Sequence, residues 1–213
     1  MLTKMRNTLI IHIKKNANKY LFLFLAFIIG VSAGAFTVNG LSSIQRDELT
    51  NYFQGFLQLL SNQKVDNGAL LSAALIENLK VIGMLWILGL TIIGIPFIYV
   101  LVGIRGFITG FTSGFIIQTL AFKGVLFTLL SILPKEIVIV PCLIALGVNG
   151  INFSLDMIKN KSIKHVLKDN LKTNFVAYCM TTMILTFVIF LGILIEVYII
   201  PVFVRMIAPT IVG

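Results

Sequence analysis

Charged side chains are scarce in this sequence. Only 12% of its 213 residues are Asp, Glu, Lys or Arg, while 58% are hydrophobic; an average soluble domain has about 25% charged residues. A soluble fold of this size exposes a large part of its surface to water and could not hide so many apolar side chains. The shortage of charge therefore excludes an ordinary soluble domain and indicates a protein that is surrounded by lipid.

Residues that bind metals or form disulfides are also few, with two cysteines and two histidines in the chain. Cys142 and Cys179 lie inside apolar runs, where a thiol behaves as a small apolar residue. His12 and His165 lie in basic segments without the further ligands that a metal site needs. We expect no metal, no cofactor and no disulfide framework.

Catalytic motifs are missing as well. Ser113 stands one place too late after Gly110 for a G-x-S-G elbow, and no histidine lies in an apolar run to activate it. Four charged residues border the apolar runs, and we expect them at span ends, where long side chains reach water: Arg105, Lys123, Glu136 and Glu196. A transporter with a proton relay would normally bury such a group in the membrane. The sequence therefore predicts a protein that is not an enzyme.

What the sequence has in abundance is long apolar runs. A helix needs about 20 apolar residues to cross roughly 30 Å of hydrocarbon. Five uncharged runs meet or approach this length, and the predicted spans are 20–40, 81–104, 106–122, 137–155 and 173–195. The predicted fold class is an all-α integral membrane protein with about five transmembrane helices.

Lysines determine the predicted orientation. They cluster in the N-terminal segment 1–19 and in the connection 156–172, with Arg105 in a short turn on the same side; the lysines that carry the prediction are Lys14, Lys15, Lys19, Lys159, Lys161 and Lys164. Basic loops stay in the cytoplasm, and their charge attracts anionic lipid headgroups. We therefore expect a cytoplasmic N-terminus and an outer C-terminal tail, 196–213. No aromatic residues alternate with these lysines, so we expect no nucleic-acid partner.

The predicted outer loop, 41–80, has a helical pattern. Apolar residues recur at the spacing of one helix face: Leu49, Tyr52, Phe53, Phe56 and Leu57. A turn at Asp66-Asn67-Gly68 separates this helix from a second one, 69–80. The apolar face either lies on the outer leaflet or binds a partner protein or a second copy.

Glycines at every fourth position favour close packing of helices. They are Gly30 and Gly34 in the first span and Gly106, Gly110 and Gly114 in the third. Either they pack spans of one chain together, or they form the seam of a homo-oligomer. Gly94 and Pro96 predict a break in the second span, since proline removes a helical hydrogen bond. The apolar stretch 124–136 is too short to cross and is expected to be re-entrant or interfacial.

Several motifs, in this order along the chain, resemble the stage II sporulation protein M family of endospore-forming bacteria. They are the run 77–90 (ENLKVIGMLWILGL), the break 94–97 (GIPF), the run 105–115 (RGFITGFTSGF) and 133–136 (LPKE) followed by Pro141. The resemblance covers essentially the whole chain. More distant relatives carry Pro-His-Gly-x-x-Glu, where this chain has Pro134, Lys135 and Glu136 and then Ile139 in place of the glutamate, so no role of that motif is carried over.

The resemblance implies a non-catalytic scaffold in the cell membrane, at the sporulation septum and in the mother-cell membrane that engulfs the forespore. Its implied partners are stage II sporulation proteins P and D, which degrade peptidoglycan on the outer side. The alternative from another functional class is a transporter or channel component.

Overall fold

A computed structural model describes residues 13–62, 67–161, 168–199 and 201–202, and these ranges contain helices and no strand. In chain order the helices are α1 (Ala17–Asn39), α2 (Ser43–Asn62), α3 (Asn67–Gly89), α4 (Gly94–Ser131), α5 (Leu133–Lys161) and α6 (Lys168–Leu194), and a π-helical turn (Ile195–Ile199) follows α6. Five helical stretches are long and apolar enough to span a membrane, and only α2 contributes to none of them. The predicted fold class is confirmed.

Helices α1 and α4 run side by side in the same direction and form the most extensive contact in the bundle. Gly30 lies against the backbone of Gly103 and Phe107, and Gly110 lies against the backbone of Val31. A Cβ atom at either glycine would collide with main-chain atoms that cannot move aside. Close approach of two helix backbones therefore depends on these glycines.

The remaining predicted packing glycines lie at the same contact. Gly34 meets the backbone of Phe107, Gly106 meets that of Phe27, and Gly114 meets that of Ala35. The glycine faces of the first and third predicted spans are thus packed against each other within one chain. They are not available as a seam between copies.

Helices α5 and α6 complete the bundle. Helix α5 runs antiparallel to α4, with Gly147 against Ile98, and α6 lies beside α5, where the rings of Phe153 and Tyr178 stack 4.7 Å apart. The hydroxyl of Tyr178 donates a hydrogen bond of 2.8 Å to the carbonyl of Trp86. The hydroxyl of Ser154 donates to the carbonyl of Gly89 at 2.8 Å. Both side chains satisfy carbonyls in the last turn of α3, which have no partner within the helix.

The predicted boundary between the second and third spans is wrong. The sequence placed it at Arg105, but the chain turns at residues 90–93, and α4 continues through Arg105 without a break. The break expected from Gly94 and Pro96 is this turn. Pro96 lies in the first turn of α4, where a helix has no partner for the missing N–H. Consequently, 69–80 is the first half of α3 and not a separate outer helix.

The stretch 124–136 is not a separate piece but belongs to two of the long helices, α4 and α5. Helix α4 is interrupted at Ala121, whose φ of 50° and ψ of −126° are not helical. Beyond this residue the chain reverses, because Gly124 lies against the backbone of Ile116 and Ile117. The segment after Ala121 therefore forms the first part of the returning leg, which α5 continues.

The direction of the helices places the described parts of the basic segments, 13–19, 156–161 and 168–172, at one end of the bundle. Lys19 at the start of α1 binds Asn152 near the end of α5, and the turn at residues 90–93 lies at the same end, because Ser154 binds the carbonyl of Thr91. Of the topology lysines, Lys14 and Lys15 are exposed there. Lys159 and Lys161 lie in α5, while Lys164 is outside the described residues. Which end is cytoplasmic stays a prediction.

The close approach of α1 and α4 predicts a position-specific effect of alanine. Gly110→Ala should destabilise the folded protein by about 1–3 kcal/mol, because the new methyl group meets the backbone of Val31. Gly103→Ala is the matched control on the same helix, since its methyl group would lie 3.5 Å from the nearest atom. Thermal unfolding in detergent should show a lower midpoint for the first variant alone. Equal midpoints would contradict the glycine packing described here.

Candidate functional site

Arg105 lies in the interior of a candidate span, Gly94–Ser131, and not at its end. The two residues that bracket it, Gly103 and Phe107, both contact Gly30, which lies in the central part of α1. Its side chain is only 7% exposed. The expectation that Arg105 borders a cytoplasmic loop is therefore wrong. The positive charge is enclosed by the bundle, well inside the span.

Two carboxylates from neighbouring helices bind this guanidinium. Nη1 of Arg105 lies 2.6 Å from Oε1 of Glu77 in α3. Nη2 lies 3.5 Å from Oε1 of Glu136 in α5. Thr109, one turn after Arg105, donates its hydroxyl to the same Glu136 oxygen at 3.3 Å. We call Glu77, Arg105, Thr109 and Glu136 the charge cluster; it connects three helices through polar contacts.

The charge cluster is incompletely satisfied within the described part of the chain. Nε of Arg105 and Oε2 of Glu136 are buried and have no hydrogen-bond partner there. Oδ1 of Asn78, next to Glu77 on α3, is in the same state. Two carboxylates also face one guanidinium, so the cluster has one negative charge in excess when all three groups are ionised. These features indicate a site that is not fully balanced by this chain alone.

A second ion pair lies one residue from the cluster. Nζ of Lys135 is 2.5 Å from Oε1 of Glu196, and both side chains are about four-fifths buried. Glu196 belongs to the π-helical turn that follows α6, and such turns are frequent at functional sites. Since Lys135 adjoins Glu136, both sets of charges lie at one level of the bundle. Glu136 and Glu196 each lie within one turn of an end of a candidate span, as predicted, although the bundle encloses most of both side chains.

Charged side chains inside a membrane span cost free energy, and this cost limits the roles that they can have. A charged side chain at the bilayer centre costs about 2.5–3.5 kcal/mol by insertion scales, and such residues usually face the bundle interior and mark functional sites. Breaking a buried pair by removing one partner costs about 3–5 kcal/mol. The cluster thus fixes α3, α4 and α5 relative to each other and disfavours any arrangement in which they separate.

The cavity beside Arg105 is small. The cavity that borders Arg105 has a volume of about 10 Å³ and is otherwise lined by apolar side chains, among them Phe27, Leu85 and Leu143. This volume is that of a single water molecule at most. Within the described part of the chain, no group of three His, Cys, Asp or Glu side chains could hold a metal ion. The space around the Arg105 guanidinium is thus closely packed, whereas the side chain of Glu77 is 59% exposed at the surface of the bundle.

The predicted partner-binding face of α2 is partly packed against the bundle and partly exposed. The start of α2 is fixed by a capping box, in which Ser42 and Gln45 exchange hydrogen bonds. The ring of Phe53 meets Phe115 and Phe127 edge to face, at 6.2 and 5.9 Å. Part of this face is therefore used to attach α2 to the bundle.

The other members of that face differ in their exposure. Leu49 also packs against this aromatic cluster, whereas Tyr52 is 80% exposed. Phe56 and Leu57 lie in α2, but their side chains are outside the described residues. The partner-binding role of these residues stays a prediction, and among the described side chains of this face Tyr52 is the most exposed.

The sequence contains a pattern that predicts part of the charge cluster, but it is visible only when the turn between the second and third spans is placed correctly. Once the turn is placed at Thr91, Glu77 and Arg105 lie equally far from it along the chain. In two antiparallel helices joined by a short turn, such residues lie at the same level. Opposite charges at equal distances from a Gly-x-Pro break therefore predict an ion pair inside the membrane.

The charge cluster predicts that Arg105 stabilises the bundle only together with its carboxylates. Arg105→Met should cost about 3–5 kcal/mol, because Glu77 and Glu136 lose their buried partner. Adding Glu136→Gln to that variant should recover part of the loss, since one unpaired charge is removed. Arg46→Met on exposed α2 is the control and should be neutral. The measurement is the unfolding midpoint of each variant in detergent. If the double variant recovers none of the lost stability, the pairing is contradicted.

Comparison with known proteins agrees with this architecture. A family model described as stage II sporulation protein M matches residues 23–201, which includes all five candidate spans except the first turns of α1. No curated protein and no solved structure matches the chain. The match begins in α1 and extends past the π-helical turn, so it contains the glycine contact, α2 and the charge cluster. The chain belongs to the stage II sporulation protein M family and is a multi-pass sporulation membrane protein.

Proposed function

We propose that this protein is a non-catalytic scaffold that holds peptidoglycan-degrading partners at the sporulation septum while the mother-cell membrane engulfs the forespore. The observation that carries the proposal is the family match over residues 23–201. The close packing around Arg105 supports it, because the cavity beside this side chain has a volume of only about 10 Å³. A protein of this kind acts through its surfaces.

The proposed partners are stage II sporulation proteins P and D, and the proposed location is the septal and engulfing membrane. The outer helix α2 suits such a role, since Phe53 attaches it to the end of the bundle next to Phe115 and Phe127. Its exposed side then presents Ile44 and Tyr52, which are 70% and 80% exposed. A helix held in a fixed position with exposed apolar and aromatic residues loses little conformational entropy when it binds.

A second candidate function, a transporter or channel component, is favoured by one observation. Arg105 and its two carboxylates lie within candidate membrane spans, and intramembrane charges often mark ion or proton pathways. Transport would require a second conformation in which water reaches these groups. The close packing around Arg105 gives no support to such a path, so we retain the scaffold as the first proposal.

Imaging of sporulating cells tests the scaffold proposal. Cells that lack this protein should form a septum that stays flat or bulges, and fluorescently tagged hydrolases should no longer concentrate there. The physical reason is that soluble or singly anchored enzymes need a fixed membrane partner to be retained at one site. Normal engulfment with correctly placed hydrolases would contradict the proposal and leave the transporter as the function to test.

Variants on the exposed side of α2 test whether this surface binds the hydrolases. The double variant Ile44→Ala/Tyr52→Ala should reduce retention of the hydrolases while the protein remains folded, because both side chains are exposed. Phe53→Ala is the comparison variant and should lower the unfolding midpoint, since its ring packs against Phe115 and Phe127. Full retention in a stable Ile44/Tyr52 variant would exclude this side of α2 as the binding surface.

A further inference from the structure

The outward side of α3 carries a regular seam that the chain leaves uncovered. Its members recur at alternating intervals of four and three residues, the spacing with which one helix packs along another: Ala69, Ala73, Ile76, Lys80, Gly83 and Ile87. All are exposed except Gly83, which is partly exposed, and a Cβ atom added at Gly83 would meet nothing within 4 Å. Small residues at such positions allow another helix to come close.

Two opposite charges lie in or beside this seam, at the depth of the charge cluster. The side chain of Glu77 is 59% exposed although one of its oxygens binds Arg105. Lys80, one turn further along α3, is exposed and makes no ion pair with any described residue. Because Glu77 is level with Arg105, both side chains would face hydrocarbon if lipid covered α3. Charges in transmembrane helices instead face a protein interior or a water-filled cavity.

The charges of α3 and of the cluster complement each other. Glu77, Glu136 and Arg105 together carry one negative charge in excess. Lys80 carries one positive charge that has no partner among the described residues. If Lys80 of a second copy approached Glu77, the cluster would become neutral, and that lysine would gain an ion-pair partner. A single contact between two copies thus neutralises the excess negative charge of the cluster and gives Lys80 a partner.

We propose that a second copy of this chain docks on α3, with a two-fold axis along the membrane normal between the two α3 helices. The two copies then lie at the same depth, and Glu77 of each faces Lys80 of the other. A two-fold interface is self-complementary, since each contact between two positions occurs twice. An acid and a base one turn apart on one helix face fulfil this condition. The formal charges of the cluster balance only in the dimer.

We choose a second copy, and not a different transmembrane helix, because Glu77 and Lys80 of one copy complement Lys80 and Glu77 of the other. An unrelated helix would have to bring both a base at the level of Glu77 and an acid at the level of Lys80. This chain already presents that pair on the seam itself. The glycine faces of α1 and α4, which could have formed a dimer seam, are used within the chain. The dimer does not depend on the proposed scaffold function and can be tested without hydrolases.

Disulfide cross-linking in native membranes tests the dimer. The full-length chain with Cys142→Ala and Cys179→Ala is expressed in a bacterial host that has no sporulation proteins. Ile76→Cys is placed in the seam, where two copies should come within the short Cβ–Cβ distance that a disulfide requires. Met183→Cys on α6, which is 70% exposed, is the control. Mild oxidation should produce a covalent dimer from the first variant and only monomer from the control.

Removal of the lysine tests the charge pairing. Lys80→Gln should reduce the Ile76→Cys dimer about tenfold, because both intersubunit ion pairs are lost. Lys123→Gln, at an exposed position after the Ala121 turn, should leave the yield unchanged. The unfolding midpoint of the Lys80 variant shows whether the monomer is intact, and a misfolded variant is replaced by Lys80→Met.

Three results would overturn the proposal. One is a seam cysteine that yields only monomer in the host without sporulation proteins. Another is equal cross-linking from Met183→Cys, which would indicate random collisions. The third is a cross-linked product of different mass that forms only in sporulating cells, which would assign the seam to another transmembrane protein. None of these outcomes bears on hydrolase retention, so the dimer and the scaffold can fail separately.

Discussion

The ion pairing of Arg105 is the interaction on which the rest of this bundle depends. A guanidinium within a membrane span is tolerable only where carboxylates and hydroxyls surround it, and Glu77, Thr109 and Glu136 provide them from α3, α4 and α5. The three helices are therefore fixed in register at one level. The neighbouring pair of Lys135 and Glu196 adds the π-helical turn to the same level. Lipid-facing apolar surface sets no register between helices, because lipid tails are as apolar as the side chains themselves.

Close packing of α1 against α4 gives the cluster its enclosed environment. The backbones approach at Gly30 and Gly110, and this brings α1 over the part of α4 that holds Arg105. With side chains in place of these glycines the two helices would separate, and lipid or water would reach the guanidinium. The glycine contact and the charge cluster are thus interdependent, since the first closes the site that the second requires. The same contact removes the glycine faces from the surface and leaves α3 as the uncovered helix.

Composition predicted the fold class and glycine spacing predicted positions of close helix packing, although not which helices meet there, whereas charge misled the span assignment. The five apolar stretches and the positions at which α1 meets α4 follow from local patterns, because lipid exposure and close packing each select residue types. The boundary at Arg105 failed because a single charge in an apolar run was taken as a span end, although the stronger signal was the Gly94–Pro96 break. Long-range pairing of Glu77 and Glu136 with Arg105 could not be read from periodicity, since it depends on how three helices are arranged. The outer helix was predicted from its apolar face, but the sequence does not say whether lipid, a partner or the bundle covers it; for Phe53 it is the bundle.

The family match over residues 23–201, the close packing around Arg105 and the exposed residues of α2 support the proposed scaffold. The most direct test is co-purification in a host without other sporulation proteins, where this chain is expressed with a tagged peptidoglycan hydrolase of the engulfment machinery. The scaffold account predicts that the membrane-extracted hydrolase elutes together with this chain and separates from it when the exposed residues of α2 are changed. Elution of the hydrolase alone, with a solute flux across proteoliposomes that contain only this chain, would contradict the account.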